Sequence, residues 1–251
     1  MKISATIITL NEERNIERCI RSLQQVADEI IVLDSNSTDR TQEICEAHNV
    51  VFEQRKWEGY SATKNHLNNL AKYDYILSID ADEALDKELM EAILATKSET
   101  NPGVYSVSRL VNYCGKWIKH SGWYPDIKVR LFPKEGSTWE GEYVHEELSY
   151  PKSLPVLQLH GHLLHFTYYN YKEHRERADN YSSLTAMKMH KKGKNASFVK
   201  PYFSALLRFI TMYFLKRGFL DGIKGFKIAQ ISAQSNVFKY KELRRLNNGR
   251  K

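Results

Sequence analysis

Cysteine is scarce: three residues in 251, Cys19, Cys45 and Cys114, an odd number set far apart. That number and spacing match neither a disulfide framework nor a zinc motif, and a reducing, cytosolic setting is expected. Long apolar runs are missing too, none reaching the ~18 residues a membrane-spanning helix requires. After Met1 and Lys2 the chain runs straight into strand-like sequence, without the basic flank, apolar segment and small-residue cleavage site of a signal peptide. Internal repeats and low-complexity tracts are also absent, and a balance of 42% hydrophobic and 27% charged residues is that of an ordinary globular chain, so disorder is not the default reading. The length suits one large or two small domains. A net charge of +7 leaves nucleic acid, anionic membrane and phosphate-rich ligands open as partners.

The first hundred residues alternate between two periods. Residues 3–10 are β-branched and apolar, the pattern of a strand covered on both faces, and Asn11-Glu12-Glu13 closes them. Ile16, Cys19, Ile20 and Leu23 then recur on one helical face. A second strand is expected at 29–33, followed by turn formers with Asp39 and Gln42 at capping-box spacing. A third falls at 50–53, a helix before Leu70, and a fourth strand at 75–79. This order predicts a mostly parallel sheet with right-handed crossovers. Past Pro102-Gly103 the expected pattern is short strands rich in Tyr, Trp and His that extend the same sheet. From 171 onward the sequence is helical and basic.

Residues 75–83 are the focus: an apolar strand that ends abruptly in Asp80-Ala81-Asp82. Two hard oxygen ligands at the carboxyl end of a buried strand suit a divalent cation, although short Asp-x-Asp pairs also occur as solvated turns. Asp34 and the Asn11–Glu13 cluster close two other strands of the same unit. Three polar clusters at neighbouring strand ends are what a nucleotide site requires. A nucleotidyltransferase would carry a glycine-rich, basic phosphate loop after its first strand; Leu10-Asn-Glu-Glu13 is acidic instead. A non-catalytic sugar-binding or membrane-surface module on the same fold is opposed by the intact carboxylates.

The stretches Thr6-Ile-Ile-Thr-Leu-Asn-Glu-Glu13, Asp28-Glu-Ile-Ile-Val-Leu-Asp-Ser-Asn-Ser-Thr-Asp39, Gly59 with Lys64-Asn65, Ser78-Ile-Asp-Ala-Asp-Glu83 and Trp139-Glu-Gly-Glu-Tyr-Val-His-Glu146 together resemble a family 2 glycosyltransferase. The nearest likeness is to transferases of lipopolysaccharide core biosynthesis. The resemblance implies an α/β GT-A fold, a Rossmann-like mixed sheet flanked by helices, with a helical basic C-terminal extension. Residues 1–170 would form the catalytic domain, 1–100 binding the nucleotide-sugar and 101–170 the acceptor, and 171–251 the helical region. It further implies that Asn11, Glu13, Asp34, Lys64 and Asp80 bind the nucleotide-sugar. Asp82 would ligate Mg²⁺ or Mn²⁺ on the diphosphate, with the late histidine His165 beside it. An inverting transfer needs a base for the acceptor hydroxyl. Glu146, in the family's late acidic motif, is the candidate, with Glu147 and Asp126 as competitors and His145 as a residue that could orient the acceptor.

His160, His162 and His165 do not read as a three-histidine metal site, because strand periodicity puts His165 on the opposite face from the other two. Trp117, Trp123, Tyr124 and Trp139 fall in the region expected to receive the acceptor, where aromatic faces stack on sugar rings; they are equally good core residues. In the C-terminal region, Pro201 suits a first helical turn, and Phe203, Leu206, Leu207, Ile210, Tyr213 and Phe214 share a face ringed by Lys200, Arg208, Lys216 and Arg217. Such a helix suits an anionic membrane interface better than nucleic acid, the alternative being packing on the catalytic domain or a second subunit. The expected partners are a nucleotide-sugar donor, a glycolipid or oligosaccharide acceptor and the cytoplasmic face of a membrane.

Overall fold

The computed structural model describes residues 1–98, 103–141 and 146–249. β1 (Ile3–Thr9) is buried along its whole length, Ser4, Thr6 and Thr9 included, as expected of a β-branched strand covered on both faces. α1 (Ile16–Leu23) buries Ile16, Cys19, Ile20 and Leu23, the stripe read from the sequence. β2 (Glu29–Asp34), α2 (Thr41–Glu46), β3 (Val51–Gln54), α3 (Tyr60–Leu70) and β4 (Tyr75–Asp80) follow, then β5 (Glu83–Leu85) and α4 (Lys87–Lys97). The chain continues through β6 (Val104–Tyr113), β7 (Lys116–Ile118), β8 (Asp126–Pro133), β9 (Thr138–Glu140), β10 (Glu147–Ser149) and β11 (Val156–Tyr168). It ends in α5 (Tyr171–Lys191), α6 (Lys200–Ile210), a π-helical turn (Thr211–Leu215), a 3₁₀ turn (Gly218–Asp221) and α7 (Gly222–Asn248).

The sheet is mixed, as expected. Its order is β3-β2-β1-β4-β8-β6-β11-β5, with β7 paired to β6. β1, β2, β3 and β4 run parallel, whereas β8 joins β4 antiparallel. The register places the site: Thr9 lies opposite Asp34 and Ile8 opposite Asp80, so the acidic ends of β2 and β4 flank the carboxyl end of β1. β5 returns along β11 with Glu83 opposite His165.

Two expectations are corrected. The aromatic stretch contains long strands as well as short ones, β6 of ten residues and β11 of thirteen. Gly161 lies inside β11 at φ +92°, where the start of α4 comes too close for any Cβ, and the strand continues through it. The capping box does not form either. Asp39 Oδ1 accepts from Thr41 N at 3.0 Å and Thr41 Oγ1 at 2.6 Å, while Gln42 Oε1 accepts from Gln54. The shorter Asx-type turn uses the side chain that the box needed.

The chain divides into two compact units, Met1–Arg109 with Asp126–Phe166, and Leu110–Pro125 with Thr167 onward. The second unit thus takes the end of β6 and β7 together with the C-terminal helices. In it α5 and α6 each pack on α7 around Tyr113, Ile118, Met212, Ile228 and Ala229. Tyr113 Oη meets Nδ1 of buried His174 at 2.8 Å. Gly225 lies against the Gly218 carbonyl with no room for a Cβ, which lets α7 start close to the turn before it.

Candidate active site

The loops after β1 and β2 interlock. Asn11 takes a left-handed backbone (φ +54°) and its Oδ1 accepts from Thr38 N at 2.7 Å, while its own N–H donates to Ser37 Oγ. Glu13 Oε2 accepts from Arg40 N at 3.1 Å, and Glu13 N donates to Asp39. Asp34 is fully buried, its Oδ2 accepting from Ser37 N at 2.8 Å and Gln54 Nε2 at 3.2 Å. Asn11, Glu13 and Asp34 therefore belong to one polar rim held by backbone donors.

Beside it, the end of β4 carries a charged network that the sequence only half disclosed. Lys64 is 3% exposed, unlike a typical helix-surface lysine. Its Nζ lies 3.2 Å from Asp80 Oδ1, 3.5 Å from Glu146 Oε1 and over the Trp139 ring. Arg130 reaches Asp80 Oδ2 at 3.0 Å and both Glu83 oxygens at 2.7 and 2.8 Å. Arg109 adds a contact to Glu83 and a 2.6 Å ion pair with Asp126. Burial opposes ionisation of Asp80, but the Lys64 and Arg130 charges outweigh it and hold its carboxyl far below the usual range. Burial likewise works against the charge of Arg130, and Glu83 and Asp80 overcome it and raise its pKa. Glu83 also accepts from Asp80 N at 3.0 Å, so it fixes the backbone of the acidic turn.

Arg130, Glu83 and Arg109 were missed by the sequence reading. The signal was present: Arg130 interrupts the apolar end of β8 between Val129 and Leu131, and Glu83 directly follows Asp82. A charge at such a position needs a buried partner.

Asp82 Oδ2 and His165 Nε2 are 3.1 Å apart, brought together by the pairing of β5 with β11. Two adjacent ligands about 2.1 Å from one octahedral ion are separated by roughly 3 Å, so this oxygen–nitrogen pair fits a shared divalent cation. His165 Nδ1 is buried with no hydrogen-bond partner among the described residues. A second set, Asp86, Glu88 and His162, also has ligand atoms within 4.8 Å of one another. Asp86 is already engaged there, capping α4 through Leu89 N at 2.8 Å and meeting His162 Nδ1 at 3.0 Å. His160 sits near Glu88 instead, so the three histidines have three different acidic neighbours.

The aromatic residues are not gathered into one patch. Trp139 is buried against Phe132 in the first unit, and Trp123 packs on Tyr113 and Tyr168 in the second. Of the competing bases, Asp126 has its carboxyl lowered despite burial by Arg109 and Lys128, which suits an ion-pair partner better than a proton acceptor. Glu147 is exposed on β10. His145 lies outside the described residues.

Residues 4–213 match the family model described as glycosyl transferase family 2. A relative from Rickettsia bellii with the name "uncharacterized glycosyltransferase" is 30% identical over 98% of this chain and 87% of its own length. The lipopolysaccharide core biosynthesis glycosyltransferase LpsC of Rhizobium meliloti is also 30% identical, over 93% of this chain and 88% of its own. Among solved structures, TarS 1-349 of S. aureus, in complex with UDP-GlcNAc, is similar with a TM-score of 0.49 and 14% identity, over 99% of this chain and 92% of that one. The family match spans both loops of the polar rim, the acidic end of β4 and the Lys64–Glu146 pair, and by it the chain belongs to the family 2 glycosyltransferases.

Proposed function

We propose that the protein is an inverting hexosyltransferase that uses a nucleotide-sugar and a divalent cation. The observation that carries this reading is the convergence at the end of β4, where Lys64 bridges Asp80 and Glu146 while Asp82 meets His165. The polar rim of Asn11, Glu13 and Asp34 binds the nucleoside. Asp82 and His165 would hold Mg²⁺ or Mn²⁺, and a cation bound there would supply positive charge for the departing diphosphate. Lys64 and Arg130 keep Asp80 ionised and fixed, so the acidic turn is preorganised before donor binds. Glu146 takes the proton of the acceptor hydroxyl as its oxygen forms the new bond to the anomeric carbon. The bond from that carbon to the diphosphate breaks on the opposite face, and the configuration inverts.

The acceptor is a glycolipid or lipopolysaccharide-core precursor at the cytoplasmic face of a membrane. Similarity to LpsC and the basic C-terminal region support this. No helix among the described residues is long and apolar enough to cross a bilayer, so contact with the membrane would be peripheral. Turnover of a nucleotide-sugar panel with Mg²⁺ or Mn²⁺ tests the donor and the chemistry together. Transfer with inversion from one member supports the reading; no transfer or hydrolysis from any member, and no nucleoside diphosphate binding by calorimetry, removes it.

A further inference from the structure

The second unit turns its large apolar side chains outward. On α6 and the turn after it, Phe203, Leu206, Leu207 and Phe214 are about half exposed or more, and Leu215 is 74% exposed. The face of α6 that packs inward carries Pro201, Ser204, Ala205 and Phe209, smaller on average than what it leaves outside. An ordinary surface helix has the opposite arrangement.

Charge selects what covers this face. Residues 180–251 carry sixteen lysines and arginines and two carboxylates, a net +14, whereas residues 1–179 sum to −7. Asp221, one of those two carboxylates, is buried and used internally: it accepts from His120 N at 3.0 Å and pairs with His120 Nδ1. A second copy docked face to face would set like charges together, which opposes association. An anionic bilayer complements both the apolar and the basic side chains.

Where the apolar face ends, a cleft of about 400 Å³ opens, lined by Lys119, His120, Tyr124, Leu215, Lys216 and Arg217. Its walls are fixed to each other: Ser121 N donates to Lys216 O at 2.9 Å, and Gly218 sits so close to Ser121 Oγ and Met212 O that a Cβ would not fit. Three cationic side chains, a histidine and a tyrosine around one opening form a receptor for a phosphate group, and Leu215 joins it to the apolar face. We propose that this surface docks the enzyme on anionic membrane, with Leu215 and Phe214 entering the acyl boundary and the cleft receiving a lipid phosphate. The proposal rests on the reading of the acceptor as membrane-borne and names the surface that meets the membrane.

The test is co-sedimentation of the full chain with vesicles of phosphatidylcholine alone and with roughly one-third phosphatidylglycerol, in the absence of nucleotide. The expected result is binding to the anionic vesicles only, weakened at least tenfold by Leu215→Glu and, at roughly fivefold per reversed or lost charge, by Lys216→Glu. Inorganic phosphate should compete for the cleft and release more protein than chloride of equal ionic strength; no excess release would overturn the assignment of the cleft to a lipid phosphate, and phosphate binding by calorimetry without vesicle binding would assign it to free phosphate. Equal binding to both vesicle types, or wild-type binding by Leu215→Glu, would overturn the docking surface. So would a dimer by light scattering that Leu215→Glu dissociates, because the face would then be an interface between copies. Since the assay contains no donor, its outcome and that of the nucleotide-sugar panel fail independently.

Discussion

In the first unit Lys64, Glu83 and Arg130 are at most 4% exposed, while in the second Phe203, Leu206 and Leu215 are 56–74% exposed. Each inverts the usual rule of burial, and the two inversions have different costs. Buried charges are tolerated only when paired, and here each cation faces two acidic groups, so the network fixes the geometry of the Asp80–Asp82 turn. Exposed apolar side chains cost little in the folded chain itself but demand a partner surface. Under the proposed function the first arrangement serves chemistry on a small polar ligand, and under the proposed docking the second serves attachment.

Breaking the polar side should have the largest effect. Asp82→Ala should abolish metal-dependent binding of nucleoside diphosphate and lower transfer by about 10²–10³-fold, since a metal ion contributes several kcal/mol of charge stabilisation; calorimetry with and without Mn²⁺ checks it. Arg130→Met leaves Glu83 with the 3.4 Å contact to Arg109 and Asp80 with Lys64 at 3.2 Å as cationic partners, and should cost up to about 3–5 kcal/mol by denaturant titration. The pH dependence has a defined sign. Asp80 is depressed in the folded state, so its contribution is complete above its ordinary value near 3.8 and is lost as pH falls through the lower folded value. The variant should therefore unfold at higher pH than wild type on acid titration.

The second unit should yield to acid earlier. Burial pushes His174 down to about 4 from an ordinary 6.5, so the unfolded chain binds the proton first. Stability is lost as pH falls from about 6.5 towards 4, by at most about 3 kcal/mol. Near-ultraviolet spectra of the tyrosine and tryptophan cluster around Tyr113 should change in that window, and His174→Gln should flatten the dependence. A smaller effect, about 1–3 kcal/mol, is expected for Gly225→Ala, whose methyl would meet the Gly218 carbonyl; a lower thermal midpoint reports it.

The sequence made the parallel half legible because β1, β2 and β4 are β-branched and apolar-rich runs that end in polar residues, and Asp34 and Asp80 could be placed at strand ends before any geometry was known. The start of α6 followed from Pro201 for the same local reason. The partners of Asp80 and Asp82 were hidden, since they come from distant elements: Arg130 on β8 and Lys64 on α3 meet Asp80, and His165 on β11 meets Asp82, only in the folded chain. The burial of Lys64 depends on Trp139, seventy-five positions away in the chain, and no periodicity encodes that contact. The length of β11 was not legible either, because Gly161 takes a positive φ inside a strand that continues through it.

The central claim is that Glu146, held near Asp80 by Lys64, is the base of a metal-assisted transfer whose donor site is separate from it. Glu146→Gln assayed for both donor affinity and single-turnover transfer tests that claim most directly. The account predicts a dissociation constant for nucleoside diphosphate within about twofold of wild type and a transfer rate lower by about 10²–10⁴-fold, the usual contribution of a general base. Wild-type turnover by Glu146→Gln would contradict it.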